Sequence, residues 1–212
     1  MSNYKNKIIL LGYSGHSYEI IECILKTDKY EILGYCEKEE VNNNPFNLNY
    51  LGSEKEKNFN FFKKNIKFFI AIGDNKIRKE VSYFINKIGE RQVNIINPNS
   101  HLSKKIKIGF GNFISKNSSI NSNSIIGNNV IINTGSIIEH DCVVQDFVHV
   151  APGSVVCGGV EIGQGTLIGA NSTINPNIKI GENVIIGSGS VVLNDIPNNS
   201  IVVGNPGKVL QK

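Results

Sequence analysis

From residue 102 to residue 192 an aliphatic side chain occupies every sixth position without a break. The series runs from Leu102, Ile108 and Ile114 through Ile186 to Val192, sixteen positions of sixteen. Four places after each aliphatic stands mostly a small or β-branched residue, such as Ser118, Ser124, Val130, Ser136, Cys142 and Val148. Glycine often follows the aliphatic directly, as at Gly109, Gly127 and Gly163. A period of six matches neither the helical 3.6 nor the simple strand alternation of two. It is the period of a parallel β-helix, in which each hexad forms one side of a triangular coil and about 18 residues complete a turn. The aliphatic points inward and stacks on its counterpart one turn later. The run predicts about five coils, a prism about 24 Å tall at about 4.8 Å per strand. Residues 195–208 (DIPNNSIVVGNPGK) break the phase and are expected to cap the prism.

The first hundred residues follow another pattern. Apolar runs at 7–11 (KIILL), 32–36, 67–72 (KFFIAI) and 92–96 (QVNII) read as strands. An amphipathic stretch to about Lys26, and a second carrying Ile77, Val81, Phe84 and Ile88 at helical spacing, read as helices. Alternating strand and helix predict a small parallel α/β domain of the Rossmann-like kind. The chain therefore divides into residues 1–99, an α/β domain, and residues 100–212, a β-helix with its cap. Residues 42–49 read as a loop.

Net charge is +4, from 22 basic and 18 acidic residues, with scattered lysines and only two arginines, Arg78 and Arg91. Nucleic-acid footprints are arginine-rich and concentrated on one face, so no DNA or RNA partner is expected. No signal peptide and no apolar run of about 18 residues is read from the sequence, so neither export nor membrane insertion is expected. Four cysteines without C-x-x-C spacing suit reduced thiols in a cytoplasmic protein.

One stretch of the β-helix carries chemistry. Residues 137–153, IIEHDCVVQDFVHVAPG, put Glu139, His140, Asp141, Asp146 and His149 into an otherwise aliphatic run. The 18-residue turn stacks His140 over Gly158, beside the Cys157-Gly158-Gly159 backbone. Glycine amides admit a close ligand and can hold a developing oxyanion. A base beside such donors is what acyl transfer to an amine or an alcohol requires. The structural alternatives are plain. A lone histidine is usually a satisfied core or surface residue, Gln145 and Asp146 suit corners, and Cys142 takes the small inward position. Cys157 is not favoured as an acyl carrier.

A second site lies after the first strand. The GYSGH turn supplies Gly12 and Gly15 but no third glycine for a dinucleotide fingerprint. Amides at a helix N-terminus still attract phosphate. Gly73 and Asp74 follow the third strand, at the same carboxyl edge where ligands of open α/β sheets settle. The alternative is an ordinary strand-to-helix turn.

The hexads with EHDC, FVHVAPG and the ending VGNPGK resemble the hexapeptide-repeat acyltransferases. GYSGH and FIAIGDNKIRK narrow the resemblance to bacterial UDP-4-amino-sugar N-acetyltransferases and the related sialic acid O-acetyltransferases. The resemblance implies left-handed coils, against the usual right-handed crossover rule, and acetyl-CoA as co-substrate with no metal. It implies His140 as general base, oriented by Asp141 with Glu139 able to share the task. It places His149 at the acyl end, the Gly158 amide at the thioester oxygen, and Asn133 and Thr134 on the sugar side. It suggests Gly12, Ser14, Gly15 and His16 as holders of a sugar nucleotide. Where relatives carry an acidic pair after the second strand, this chain has Glu37 followed by Lys38. Gly169, Ala170, Gly187 and Ser188 are candidates for a pantetheine groove, and Lys208 for a CoA phosphate. A homotrimer with active sites between subunits is implied, the 147–149 segment facing the partner.

The leading expectation is an N-acetyltransferase acting on a nucleotide-linked, UDP-4-amino-type sugar. The alternative is an O-acetyltransferase of a sialic-acid-type sugar, since one base serves amine and hydroxyl alike. A zinc hydratase of the γ-carbonic-anhydrase kind needs three converging histidines, and His101 has no matching partner. A purely structural β-helix needs no histidine over a glycine pair.

Overall fold

The computed structural model describes residues 5–62, 65–90 and 92–210. In the N-terminal part, β1 (Asn6–Leu11) lies between β2 (Tyr30–Cys36) and β3 (Lys67–Ile70) in a three-stranded parallel sheet. As the central strand, β1 is covered on both faces, which is why Ile8 to Leu11 read as a continuous apolar run. Its alternate residues enter two different clusters. Ile8 and Leu10 pack with Ile20, Ile21 and Ile24 of α1 (Gly15–Thr27), whereas Ile9 and Leu11 pack with Val81 and Ile85 of α2 (Asn75–Lys87). Each helix begins where a side chain closes its first turn. The Ser17 hydroxyl accepts from Ser14 N–H at 2.9 Å and donates to the Ser14 carbonyl at 2.6 Å. The Asp74 carboxylate accepts from Ile77 N–H at 2.8 Å.

Two expectations change here. Residues 92–96 do not form one strand of this sheet. Gln92 makes a single bridge to Phe68, while Ile95–Ile96 pairs with Phe113–Ile114 as the first rung of the β-helix. The reason lies in the repeat, because Ile96 stands six places before Leu102 and already holds its phase. The inner face of α2 also differs from the expected one. Ile77 is half exposed, and the buried face is Arg78, Val81, Ser82 and Ile85.

The rest is a parallel solenoid with three flat faces. On face 1, Ile131 pairs with His149, His149 with Leu167, and Leu167 with Ile185, each step 18 residues. Face 2 runs from His101–Leu102 to Val191–Val192, and face 3 from Lys107–Ile108 to Lys179–Ile180. The inward aliphatics from Ile114 to Val192 are 0–3% exposed and form one core. The small inward positions have a polar task. Ser154, Thr166 and Ser172 donate to the carbonyls of Gly169, Gly181 and Gly187 on the next coil, at 2.7, 2.7 and 3.0 Å. These buried hydroxyls are thereby satisfied. The cap is a strand Ile201–Val203, followed by Lys208–Val209 folded back antiparallel.

Each corner turns through one residue of positive φ. From Gly111 to Gly189 every sixth residue is in that region, and it is glycine or asparagine at all but two corners. These residue types tolerate the left-handed conformation best. The exceptions are consecutive, Asp141 (φ 59°) and Phe147 (φ 60°), inside the titratable stretch. A local rule broken twice in succession marks a place where something other than folding sets the residue.

Candidate active site

His140 and Asp141 occupy the corner between faces 2 and 3. The His140 Nδ1 and the Asp141 Oδ2 are 2.8 Å apart, with side chains 64% and 57% exposed. A carboxylate can only accept, so Nδ1 carries the hydrogen and Nε2 keeps its lone pair. The left-handed backbone at Asp141 turns its side chain back onto its neighbour. Asn123, one coil earlier, donates to Asp141 Oδ1 at 3.1 Å. These two hydrogen bonds, His140 first, hold the Asp141 carboxyl below its ordinary value. The ring lies on Gly158. A methyl group there would come within 2.7 Å of His140 Cε1 and 2.8 Å of Nε2, so only glycine leaves the ring in this position. The Gly158 N–H has no acceptor among the described residues. The ring thus lies against a glycine whose amide is unpaired, an arrangement suited to removing a proton next to a developing oxyanion. Glu139 is turned elsewhere and accepts from Asn121 at 2.9 Å. Burial raises the Cys157 thiol above its ordinary value, which disfavours its thiolate.

His149 lies apart, in a strand of face 1 that faces the α/β domain. The cleft there, about 590 Å³, is lined by Gly73, Asp74, Asn75, Lys79, His149 and Gly165 among others. Arg78, which is 1% exposed, bonds to two of the cleft's lining residues, Gly73 and Asn75. Nε donates to the Asn129 carbonyl at 2.9 Å, Nη1 to the carbonyls of Ile72 and Gly73 at 3.1 and 2.9 Å, and Nη2 to the Phe147 carbonyl and Asn75 Oδ1 at 3.0 and 2.7 Å. The guanidinium fork is fully used, with no carboxylate in contact among the described residues, and burial lowers its pKa to about 9. Phe147 tolerates its strained corner because its carbonyl meets this fork and its ring packs edge-on to Tyr83 at 5.9 Å. Within the chain the 147–149 segment therefore packs at the junction with the α/β domain. Phe147 is 3% exposed within the single chain.

Arg78 also sets the charge of its neighbours. Burial, then the Arg78 charge, then His16 depress His149 to about 3. Burial and Arg78 likewise depress His16 to about 4. Both rings are neutral at physiological pH, with centroids 6.1 Å apart. His149 Nε2 lies 3.3 Å from Asn133 Nδ2. The His16 Nε2 is buried and has no hydrogen-bond partner among the described residues.

The residues expected to hold a sugar nucleotide separate into two places. Gly12, Ser14, Glu37 and Lys38 line a cavity of about 380 Å³ at the carboxyl edge of the sheet, together with Glu54 and Lys55. Gly12 is required there twice over, by φ of 101° and by Ile72, whose Cγ1 a methyl group would approach to 2.5 Å. Gly15 faces open space, with nothing within 4 Å of an added methyl. The Glu37 carboxylate accepts from Tyr13 N–H at 2.9 Å. His16, Gly73, Asp74 and Asn133 belong instead to the cleft over His149, and Thr134 pairs with Ser115 at 3.0 Å. Asp74 is also the cap of α2.

Gly169, Ala170, Gly187 and Ser188 lie on the edge between faces 1 and 2, one prism face away from the His140–Gly158 column. The glycines at 169 and 187 are needed for stacking, since added methyls would meet Ile186 O at 2.5 Å and Val203 Cγ1 at 2.9 Å. Lys208 is exposed on the cap. Sequence reasoning passed over Arg78, Asn75 and Glu54. Only Arg78 left a legible signal, as one of two arginines, in line with Val81 and Ile85 on one helical face. Among the described residues no three His, Cys, Asp or Glu side chains converge as metal ligands. No helix among them is long and apolar enough to cross a membrane.

The PglD N-terminal domain family matches residues 7–83, and the bacterial transferase hexapeptide (six repeats) family matches 141–176 and 159–194. Solved structures match nearly end to end. A histidine mutant of perosamine N-acetyltransferase from Caulobacter crescentus, in complex with CoA and GDP-perosamine, is 26% identical over 98% of both chains, with a TM-score of 0.88. The acetyltransferase domain of PglB from Neisseria gonorrhoeae, in complex with acetyl coenzyme A, is 25% identical over 97% of this chain and 100% of its own, with a TM-score of 0.89. WeeI from Acinetobacter baumannii, at 23% identity over 97% of this chain and 100% of its own and a TM-score of 0.84, shares the fold. Among curated protein sequences none matches this chain. With both families matched and the fold shared nearly end to end with sugar N-acetyltransferases, the chain is a hexapeptide-repeat sugar acyltransferase.

Proposed function

We propose that this chain transfers the acetyl group of acetyl-CoA to the amino group of a nucleotide-linked sugar, with His140 as general base. The observation that carries the reading is the His140–Asp141 hydrogen bond of 2.8 Å, made by a ring that lies against Gly158 with Nε2 unbonded. Nε2 takes a proton as the amine attacks the thioester carbonyl, and Asp141 stabilises the imidazolium that forms. The Gly158 N–H faces the oxygen that becomes negative. The C–N bond forms and the C–S bond breaks. The proton held by His140 passes to the departing thiolate, which closes the cycle. Complexes of two relatives hold CoA with GDP-perosamine or acetyl coenzyme A, and the former is an N-acetyltransferase, which favours an amine over a hydroxyl acceptor.

His140 and His149 lie on different parts of one prism, the first at the edge of faces 2 and 3, the second on face 1. A reaction that uses both draws His140 from one chain and the His149 cleft from a neighbour, which is the reason to expect a homotrimer. The division of labour follows. Residues 1–99 hold the sugar nucleotide at Gly12–Gly15 and Glu37, and residues 100–212 hold acetyl-CoA, with Gly169, Ala170, Gly187, Ser188 and Lys208 placed for the neighbour's pantetheine and phosphate groups. The resemblance points to a uridine nucleotide and the Caulobacter relative to a guanosine one. The test is thiol release from acetyl-CoA with UDP- and GDP-linked 4-amino sugars, followed by mass spectrometry of the product. A gain of one acetyl group on nitrogen supports the reading. Acetylation only of hydroxyl groups, or none with any amino sugar, overturns it.

A further inference from the structure

The cavity at the carboxyl edge of the sheet holds a carboxylate that the fold does not use. Glu54 is 8% exposed, lines this cavity, and makes no hydrogen bond or ion pair among the described residues. Its carboxylate oxygens are therefore free to accept from a ligand that enters the cavity. The cavity's other acid has partners already. Glu37, at the end of β2, accepts from the amides of Tyr13 and Lys38 at 2.9 and 3.3 Å. It stands where the acid of an α/β nucleotide site meets the ribose hydroxyls. Gly12 and Ser14, at the start of α1, lie on the phosphate side, and Lys38 and Lys55 supply positive charge at the rim. With phosphate and ribose thus placed, Glu54 is left for the base.

We propose that Glu54 reads the nucleobase and selects guanine, so that the acceptor is a guanosine diphosphate sugar. This rests on the nucleotide-sugar reading above. The chemistry is specific. Guanine presents two adjacent donors, N1–H and the exocyclic amine, on one edge, and a carboxylate accepts both at once in a bidentate, charge-assisted pair. Uracil offers one N–H flanked by two carbonyl oxygens, which a carboxylate repels. Adenine and cytosine each set a ring acceptor beside their amine, with the same result. The cavity thus presents two acids from different segments, Glu37 and Glu54. The sequence at Cys36-Glu37-Lys38 shows only the first.

Calorimetry on the full chain with GDP and UDP tests this, alongside turnover with the corresponding 4-amino sugars. The wild type is expected to bind GDP at least about 10-fold more tightly than UDP, and Glu54→Gln to lose about 10²-fold in GDP affinity and most of the preference. Glu54→Asp, which keeps the carboxylate, should retain the preference at lower affinity. KM for acetyl-CoA should not move in either variant. Because Glu54 has no partner in the free protein, Glu54→Gln should hold or raise the unfolding midpoint, whereas a structural acid would lower it. Equal or tighter binding of UDP by the wild type, with acetyl transfer intact, overturns the base assignment and leaves the proposed function standing. A GDP preference unchanged in Glu54→Gln overturns it as well. Failure of both nucleotides to bind overturns the nucleotide reading on which it depends.

Discussion

Acid should unfold this protein through two histidines that the domain junction keeps neutral. His16 and His149 are depressed to about 4 and about 3, mainly by burial and then by the Arg78 charge. In the unfolded chain both return to about 6.5. Below pH 6.5 the unfolded state therefore binds more protons than the folded one, and stability falls as pH drops toward the folded values. Each group loses about 1.4 kcal/mol per pH unit across that window. From pH 6.5 to pH 5 this amounts to about 2 kcal/mol each and about 4 kcal/mol for both. The rings lie 6.1 Å apart, so the first proton makes the second still less favourable in the folded state. Urea unfolding at pH 7 and pH 5 checks the number. The loss between the two should shrink by about 4 kcal/mol in a His16→Gln/His149→Gln double variant, which cannot titrate there. An equal loss in wild type and variant would refute the claim that these two sites are held neutral by the fold.

Three further outcomes are expected. Arg78→Met leaves five oxygen acceptors without their donor and should cost about 3–5 kcal/mol in chemical unfolding, with Arg78→Lys a poor rescue because the ammonium lacks the planar fork. Gly158→Ala drives a methyl into the exposed His140 ring, which can swing away. It should lower kcat about 10²-fold with little change in the unfolding midpoint, and a kcat within twofold of wild type would separate Gly158 from the chemistry. Light scattering of an active preparation should give three times the 23.3 kDa chain mass, whereas an active monomer would contradict a site shared between chains.

The solenoid was legible because its physics is one-dimensional. An inward aliphatic every sixth residue can stack only on its counterpart 18 places on, and Ile132, Val150 and Ile168 do so. The His140–Gly158 contact followed from the same arithmetic. The junction between the domains was not legible, because nothing local encodes it. The buried face of α2 carries Arg78 and Ser82, so apolar spacing pointed instead to Ile77, which is half exposed. The contacts of Phe147 within the chain, to Tyr83 and the Arg78 fork, were hidden because both lie more than sixty residues away. Residues 92–96 were divided wrongly for a related reason. A short apolar run cannot say which sheet it joins, and here the hexad phase of Ile96 decided the matter. Glu54 sits in a polar loop with no pattern of its own, and only its burial sets it apart.

The central claim is that His140 is the base. The direct measurement is kcat and KM of His140→Ala with acetyl-CoA and a nucleotide-linked 4-amino sugar, at neutral pH and at pH 9. General-base catalysis contributes about 10²–10⁴-fold, so kcat should fall by that factor with KM for acetyl-CoA little changed. Part of the loss should return at pH 9, where more of the amine is free without help. A variant that kept more than about a third of wild-type kcat at neutral pH would contradict the account and move the base elsewhere.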